Sequence, residues 1–410
     1  MGIKTVIKRV VSDDVIVRMK SLLEHRNNQI MGRKAAGLRP YSRERHPFGI
    51  NLIGDIRAET GLGQSMRILA GLLERAEIPF CIIQADSPGG LEHSDTQWEH
   101  RLSAEARYGI NLLHINPSIW AESYNRLPVE LLDGRYQIAY WLWELEDFPR
   151  EWIPCIDTVD EIWAPSEFIC RSIRAVTDKP VAVIPYILRD MGEDIRYGRQ
   201  HFGLPEEKFL YLVMYDFKSI SERKNPRGAL EAYKKAFPRE RADVGLVVKV
   251  SHAGESRELQ LLGRELEAYH NVYFITDNLS RSEVESLIAG VNVLVSLHRS
   301  EGFGLPMAEA MAMGTPIVCT NWSATTEFMD QTCACLVDYS LITLEKRIGP
   351  YQKGSRWADA DTEQAAGLIR RLREEPDFYE GMAAEGRKKV QEYLSFERAK
   401  AALDERMDRI

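Results

Sequence analysis

The sequence lacks a long apolar segment, and it has no excess of positive charge. No apolar run approaches the ~20 residues that a membrane-spanning helix needs. The first residues have a basic start, but neither the apolar stretch nor the small-residue cleavage site of a signal peptide. The net charge of −8 argues against the basic surface on which general nucleic-acid binding depends. We therefore predict a cytoplasmic protein that has no nucleic-acid partner.

Cysteines are few as well, because only six occur among 410 residues. Cys333 and Cys335 are the only close pair, and one intervening residue is poor spacing for two ligands of one tetrahedral zinc ion. We predict buried, reduced thiols and no metal site.

Length and hydrophobic pattern together indicate two domains. A chain of 410 residues is too long for one hydrophobic core. From residue 47 onward, short apolar runs alternate with helical stretches, and this order is typical of parallel sheets. The prediction is an α/β protein with two Rossmann-like domains that face each other across a cleft. Its expected segments are a helical and basic extension (1–45), an N-terminal domain (46–190), a C-terminal domain (191–385) and a C-terminal helix (386–410) that would pack back on the N-terminal domain.

The extension combines a predicted amphipathic helix over 15–30 with a basic stretch over 33–45. That stretch contains five basic side chains and a single acid, Glu44. A solvated linker is one interpretation. Contact with anionic lipid headgroups is the other, because clustered cations gain about 1 kcal/mol each near such a surface. The second interpretation predicts peripheral contact with the inner face of the membrane.

The strongest signal lies over 293–322, in VLVSLHRSEGFGLPMAEAMAMGTPIVCTNW. This segment predicts a strand, a glycine-containing loop and a helix over 305–313, with Pro306 in its first turn. The glycines let the backbone approach a ligand closely, and the helix N-terminus offers unpaired amides and positive dipole to a diphosphate. Glu301 lies before the helix and Glu309 within it, so the two carboxylates can reach different hydroxyls of one extended ligand.

The string EGFGLPMAEAMAMGTPIV over 301–318 resembles the signature of retaining GT-B glycosyltransferases of family 4. The resemblance covers nearly the whole chain after about residue 47, and it is strongest over 293–330. It implies that Glu301 contacts the donor sugar and that Glu309 contacts the ribose hydroxyls of the nucleotide. The rest of the expected donor-binding loop consists of Gly302, Phe303, Gly304 and Leu305.

A second segment, MYDFKSISERKNPRGALEAYKKAF over 214–237, leads from a strand through a polar loop into a helix. The resemblance implies an arginine and a lysine in this loop, which bind the donor phosphates and stabilise the charge of the leaving diphosphate. Lys224 matches the family lysine. Arg223 is the favoured arginine, and Lys218 is the lesser alternative.

Two weaker patterns add further donor contacts. Gly61 and Gly63 lie between the first strand and the first helix of the N-terminal domain, and they resemble the family's N-terminal glycine loop. Lys249 is a charge at the end of an otherwise apolar strand, where open parallel sheets bind their ligands. We predict that Lys249 contacts the nucleotide or its phosphates.

One position departs from the family pattern. Many members carry a histidine near the reacting sugar carbon, where this chain has Trp143 and Glu144. We expect Glu144 to orient the acceptor hydroxyl or the donor sugar. His114 matches a less critical family position and is predicted to be a core histidine. The rings of Tyr140, Trp141 and Trp143 are expected to stack on a sugar face or to belong to the core.

The resemblance implies retaining transfer of a hexosyl unit from a UDP- or GDP-linked sugar to an acceptor hydroxyl, without a cofactor. The expected catalytic residues are Glu301, Arg223, Lys224 and Glu144. No metal is expected, because cations and a helix N-terminus supply the positive charge, and no Asp-x-Asp motif is interpreted as a donor metal site. The expected partners are a nucleotide sugar and a saccharide or lipid-linked saccharide, as in bacterial surface-polysaccharide assembly. The alternative is a catalytically impaired GT-B protein that serves as a sugar- or partner-binding subunit.

Overall fold

Two parallel six-stranded sheets form the framework of the protein. The computed structural model describes residues 13–86, 93–188, 195–217, 219–238, 241–254 and 257–410, without the side chains of residues 13–21, 257 and 258. The strands are β1 (Ile50–Gly54), β2 (Phe80–Gln84), β3 (Ile110–His114), β4 (Tyr136–Tyr140), β5 (Glu161–Ala164), β6 (Val181–Val183), β7 (Phe209–Asp216), β8 (Val244–Ser251), β9 (Val272–Ile275), β10 (Val293–Ser296), β11 (Ile317–Thr320), β12 (Cys335–Val337), β13 (Tyr339–Thr343) and β14 (Arg356–Ala360).

The first sheet has the order β2-β1-β3-β4-β5-β6, and the second has the order β12-β11-β10-β7-β8-β9. Every neighbouring pair in both sheets is parallel. β13 and β14 pair only with each other, in an antiparallel hairpin. The predicted α/β class with two Rossmann-like sheets is confirmed.

Helices connect the strands of both sheets. In chain order they are α1 (Asp13–Ala36), α2 (Gly61–Arg75), α3 (Pro117–Arg126), α4 (Val129–Leu132), α5 (Ile153–Ile156), α6 (Glu167–Arg174), α7 (Ser221–Lys224), α8 (Pro226–Ala236), α9 (Arg257–Glu265), α10 (Arg281–Gly290), α11 (Leu305–Met313), α12 (Thr362–Glu374), α13 (Pro376–Tyr393) and α14 (Phe396–Met407). Single 3-10 turns occur at Glu99–Arg101, Arg150–Trp152, Arg199–Phe202 and Ser323–Glu327.

β1 to β11 coincide with the apolar runs that predict strands, and α11 has the predicted bounds. The hairpin of β13 and β14 is not among the predicted strands. Residues 340–343 of β13 and Arg356 and Asp359 of β14 are exposed, so the hairpin lacks the continuous apolar run of a strand that is buried on both faces.

The N-terminal helix packs on the first half of the chain. α1 is longer than the predicted 15–30, and its Met31 is buried in one apolar cluster with Trp120 and Tyr124 of α3. Lys34 Nζ donates to the carbonyl oxygens of Tyr124, at 2.7 Å, and of Leu127. This lysine therefore supplies further donors to carbonyl groups at and just after the end of α3, where a helix leaves its last carbonyls without intrahelical partners.

Other cations of the basic stretch also bond protein groups. Arg39 Nε lies 2.6 Å from Asp133 Oδ2, and Arg43 Nε donates to the carbonyl oxygen of Ile410 at 2.7 Å. Arg39 and Arg43 are exposed to solvent, and these bonds attach the stretch to the rest of the protein, while lipid contact stays a prediction. None of the helices in the described part of the chain has both the length and the apolar character that crossing a bilayer requires.

The last helix, α14, lies against the first half of the chain. Arg406 donates from Nε to Glu161 Oε1 at 2.6 Å and from Nη2 to Glu161 Oε2 at 2.9 Å. Glu161 belongs to β5 and is fully buried, and it also accepts a bond from Trp163 Nε1 at 2.6 Å. A bidentate ion pair thus ties the end of the chain to the first sheet.

Arg406→Met is expected to destabilise the protein, because it leaves the Glu161 carboxylate buried without its cation. Breaking one side of a buried pair costs about 3 kcal/mol, and the midpoint of urea unfolding should fall accordingly. The control is Arg409→Met, since Arg409 pairs with Glu405 on the surface and exposed pairs contribute little. Equal midpoints for the two variants would contradict this interpretation.

Candidate functional site

A cavity of about 260 Å³ lies between the two halves of the chain, and we call it the central cavity. Asp216 and Lys249 line it from the ends of β7 and β8, and residues 301–306 line it from the loop after β10 and the start of α11. Gly61, at the start of α2, and Glu144, after β4, come from the first half. The cavity therefore lies beyond the carboxyl ends of the strands, where open parallel sheets bind ligands.

Glycine is required at two positions of the loop before α11. At Gly302, a Cβ atom would lie 2.5 Å from the carbonyl oxygen of Trp143, in the first half of the chain. Gly304 has a φ of +96°, which side chains rarely allow, and a Cβ there would lie 2.7 Å from Thr325. The loop can therefore touch the first half directly and turn sharply, so that α11 begins at the cavity wall.

Glu301 is the acid of this loop, and two cations hold its carboxylate. Oε1 lies 2.5 Å from Lys224 Nζ, and Oε2 lies 3.1 Å from Arg223 Nη1. Burial raises the pKa of this carboxyl group, but the charges of Lys224 and Arg223 outweigh it and lower the pKa to about 2. Glu301 is consequently an ionised acceptor with a fixed orientation at neutral pH.

Arg223 lies behind Glu301, and it is not on the wall of the central cavity. Its Nη1 donates to the carbonyl oxygen of Ser300 at 2.7 Å, and its Nη2 lies 3.8 Å from Glu144 Oε1. Burial disfavours its charge, yet the neighbouring groups raise its pKa. This placement corrects the expectation that Arg223 contacts the phosphates directly, because Arg223 is buried behind the cavity wall and its Nη1 and Nη2 are directed to protein groups. Lys218, the lesser alternative, lies outside the described residues.

Two lysines bring positive charge to the described part of the cavity wall, Lys224 and Lys249. Lys249 is 4% exposed, and its Nζ donates to Ser251 Oγ. Burial lowers the pKa of Lys249, and the charge of Asp216 opposes that shift. Both predicted lysines therefore line the same cavity. Lys224 is the last residue of α7, and Lys249 lies near the end of β8.

The two glycines of the N-terminal loop have different surroundings. Gly61 is the first residue of α2 and lines the central cavity. Gly63 is buried instead, and a Cβ there would lie 2.0 Å from the carbonyl oxygen of Ala58. Its amide donates to the capping oxygen of Thr60 at 3.2 Å. The expected donor contact is therefore corrected for Gly63, whose role is the close packing of the helix start.

Glu309 does not line the central cavity. Its Oε1 lies 2.5 Å from Arg281 Nη2, and both side chains line a small neighbouring cavity. Leu305 lines both cavities. Phe303 lines the central cavity, and its ring lies 4.7 Å from that of Tyr186. Glu301 and residues 302–305 therefore line the central cavity together, whereas Glu309 lines the neighbouring cavity.

Glu144 lies at the contact between the two halves. Its carbonyl oxygen accepts a bond from Ser300 Oγ, and its side chain lines the central cavity. The predicted aromatic wall is corrected, because Tyr140 and Trp141 are fully buried and Trp143 is 2% exposed. These three rings belong to the core and present no face to a sugar.

His114 is a core residue, as predicted. It is 5% exposed, its Nε2 lies 2.7 Å from Ser65 Oγ, and burial lowers its pKa to about 4. It is therefore neutral at neutral pH and supports the packing beneath the cavity.

Tyr351 is a residue of this site that the sequence patterns did not indicate. It lies in the loop between β13 and β14, and its Oη donates to Glu144 Oε2 at 3.2 Å. Its ring lies 5.5 Å from the ring of Trp143. An available signal was the occurrence of two large aromatic residues, Tyr351 and Trp357, in an otherwise polar segment. Both rings are buried, which explains why aromatic residues occur there.

The same hairpin makes further bonds to the first half. Gln352 Nε2 donates to Glu151 Oε1, and Arg356 Nη2 lies 2.7 Å from Glu146 Oε2. Arg347 also pairs with Glu151, at 3.5 Å. The hairpin therefore joins the halves beside the central cavity.

Potential metal ligands among the described residues lie away from the central cavity. Asp55, Asp86 and His93 offer atoms within 4.8 Å of one another. The chain also contains one Asp-x-Asp sequence, formed by Asp359 and Asp361. Asp359 pairs with an arginine at 3.0 Å, and Asp361 caps α12. None of these residues lines the central cavity, and metal independence stays a prediction.

The model of the family described as "Glycosyl transferases group 1" matches residues 198–333. The matched range contains both Lys224 and the loop of Glu301. Over these residues, the chain is similar to the group 1 glycosyl transferases.

A curated relative matches this chain at 32% identity over 190 residues. It is the serotype-specific mannosyltransferase WbdA of Escherichia coli. The match covers 40% of this chain and 21% of the relative, so the chain spans about a fifth of the relative's length.

Solved structures show the same fold over most of the chain. Anabaena HepE in complex with UDP and glucose has a TM-score of 0.60 at 14% identity, covering 88% of this chain and 100% of that one. Sucrose-phosphate synthase from Thermosynechococcus elongatus has a TM-score of 0.61 at 15% identity, covering 89% and 99%. The chain therefore has the GT-B fold.

Lys224→Met is expected to raise the pKa of Glu301, because only Arg223 then opposes the effect of burial. The wild-type pKa of about 2 lies below the ordinary 4.5, so ionised Glu301 stabilises the fold above pH 4.5. That stabilisation is lost as the pH falls toward 2, and the variant should lose it at higher pH.

Carboxyl ¹³C NMR titration measures the shift in the pKa of Glu301. The control is Lys235→Met, which removes a surface lysine paired with Glu231. A Glu301 titration that is unchanged in Lys224→Met would exclude this role.

Proposed function

We propose that this protein transfers a glycosyl unit from a nucleotide diphosphate sugar to an acceptor hydroxyl. One observation about the central cavity carries the proposal. Ionised Glu301, which pairs with Lys224 and Arg223, lines the cavity together with two lysines and the N-termini of two helices. The cavity thus offers a carboxylate for sugar hydroxyls and positive charge for a diphosphate.

The donor phosphates fit the positive side of the cavity. Lys224 and Lys249 line it, and α2 and α11 begin at its wall with Gly61 and Leu305. Unpaired amides and the dipole at each helix start favour negative charge. These groups are already in position before the reaction, so they can stabilise the charge that develops on the leaving diphosphate.

The donor sugar fits beside Glu301, whose orientation Lys224 and Arg223 fix. Arg223 contributes by holding Glu301 and Glu144, and in this proposal it does not contact the phosphates. Glu144 faces the cavity from the first half and is the proposed group that orients the acceptor hydroxyl. Glu309 is the proposed contact of the nucleotide ribose. Its carboxylate pairs with Arg281, so this contact requires the pair to rearrange when the donor binds.

The proposed reaction retains the anomeric configuration. The bond between the sugar C1 and the phosphate oxygen breaks, and the acceptor oxygen forms its bond to C1 on the same face. The acceptor proton passes to the leaving phosphate oxygen, so that no enzyme base is consumed. The cations and helix N-termini stabilise the leaving diphosphate, and the proposal includes neither a metal nor a cofactor. Contact between the two halves excludes water and limits hydrolysis of the donor.

The finer identity of the reaction is also a proposal. HepE is described in complex with UDP and glucose, and WbdA is described as a mannosyltransferase. The first description supports a UDP-linked donor, and the second supports a hexosyl unit. The GDP-linked alternative, membership of family 4 and a role in bacterial surface-polysaccharide assembly are proposed from the sequence resemblance. A saccharide or lipid-linked saccharide acceptor at the inner face of the membrane would fit that role.

Glu301→Gln is expected to abolish transfer while nucleotide binding remains close to that of the wild type. The amide cannot accept from both cations, so the rate should fall by at least about 100-fold, as when a preorganised electrostatic contact is lost. Calorimetry with UDP, GDP and ADP measures binding, and product analysis measures transfer. The matched control is Glu146→Gln, because Glu146 lies on the surface in a pair with Arg356.

A protein that binds none of the three nucleotides would refute the proposed function. Nucleotide binding without any transfer would favour the alternative of a sugar- or partner-binding subunit. Full activity of Glu301→Gln would refute the role of Glu301.

Tyr351→Phe is expected to lower kcat with little change in nucleotide affinity, because Glu144 loses the bond that orients it. The loss of about 1 kcal/mol for one hydrogen bond corresponds to a decrease of five- to tenfold. Glu144→Gln should lower kcat further, and the double variant should match Glu144→Gln alone. Tyr339→Phe is the control, since Tyr339 lies in the same hairpin outside the central cavity. Additive effects of the two changes would contradict the coupling.

A further inference from the structure

A second and larger cavity lies on the first half of the chain. We call it the α1 groove; its volume is about 500 Å³, and it lies between α1, the first turns of α3 and the segment around Trp152. Ligand cavities typically have about 300 to 1,000 Å³. The groove is therefore large enough for a ligand, and none of its lining residues belongs to the central cavity.

The polar groups of the α1 groove suit a neutral ligand with many hydroxyls. They include the amides of Asn27 and Asn28 and the carboxylates of Glu24, Glu122 and Glu151. Amides both donate and accept hydrogen bonds, and carboxylates accept from hydroxyl groups. No lysine, arginine or histidine is among the described residues that line the groove. Arg126 and Arg347 pair with Glu122 and Glu151 from outside the lining, but the described lining itself offers no cation to phosphates or anionic lipid headgroups.

Trp152 gives the groove a rigid aromatic surface. Its ring packs edge-on against Trp143, with centroids 4.8 Å apart, and against Phe148 at 5.8 Å. The side chain is half-buried, and part of it lines the groove. An indole held by two neighbouring rings loses little freedom on binding, and it offers an apolar surface next to polar groups. The apolar C–H face of a pyranose ring complements such a surface.

Packed side chains connect the lining of the α1 groove to Glu144 of the central cavity. Trp143, which contacts Trp152, immediately precedes Glu144 in the chain. Glu151 accepts a bond from Gln352, and the adjacent Tyr351 donates to Glu144. A ligand in the groove would therefore lie next to the residues that hold Glu144, on the side of the cavity where the acceptor is proposed to bind.

We infer that the α1 groove binds the distal sugars of a neutral oligosaccharide acceptor. This inference rests on the proposed glycosyl transfer and adds to it a class of acceptor and the surface that recognises it. The sugar rings would stack on Trp152 and form hydrogen bonds with the groove amides and carboxylates, while the end that accepts the new sugar lies beside Glu144.

The experiment measures binding of short neutral manno- and malto-oligosaccharides to the full chain by saturation-transfer NMR and calorimetry. Ser118→Trp fills the groove from an exposed position of α3, and Trp152→Ala removes the aromatic surface. Ser340→Trp, at an exposed position of β13, is the matched control. We expect at least one oligosaccharide to bind the wild type and the control. Each groove variant should weaken that binding at least about tenfold, and UDP and GDP binding should stay unchanged.

Absence of oligosaccharide binding by a protein that binds nucleotide would overturn the inference and leave the proposed function standing. Equal oligosaccharide affinity of Ser118→Trp and the wild type would also overturn it, and this variant keeps the test valid if Trp152→Ala fails to fold. Absence of nucleotide binding would instead refute the proposed function, whatever the groove binds.

Discussion

The buried carboxylate of Glu301 and its two cations are the interaction on which the site depends. Lys224 and Arg223 come from one loop, and both reach the carboxylate that follows β10. Arg223 also approaches Glu144 of the first half. An isolated buried charge would be costly, but in this cluster each charge has a partner. The cluster consequently orients the acid of the cavity and contributes a contact between the two halves of the chain.

The contact between the halves explains several otherwise unrelated features of the chain. Gly302 lies so close to Trp143 that a side chain has no room, and the hairpin of β13 and β14 brings Tyr351 to Glu144. At the opposite end, Arg406 ties the last helix to Glu161 of the first sheet. These contacts are distant in sequence, and together they support a cavity whose wall comes from both halves.

Local sequence patterns predicted much of this structure. The strands β1 to β11, the helix α11 and the position of Lys249 follow from short segments whose periodicity, glycines and charges act within a few residues. Lys224 was predicted from the family resemblance. The patterns could not predict contacts that depend on the packing of distant segments. Arg223 is buried behind Glu301, Gly63 serves helix packing, and Glu309 pairs with Arg281. The role of Tyr351 depends on a hairpin that is too exposed to have a strand-like apolar run.

The most direct test of the central claim is a donor screen with the full chain. The protein is incubated with a panel of UDP- and GDP-sugars, chromatography detects the released nucleotide diphosphate, and NMR gives the anomeric configuration of any glycosylated product. We expect release from at least one donor, and a product with the same anomeric configuration as that donor. Folded protein that cleaves none of the donors would contradict the claim that the central cavity is a glycosyl-transfer site, and an inverted product would contradict the retaining mechanism.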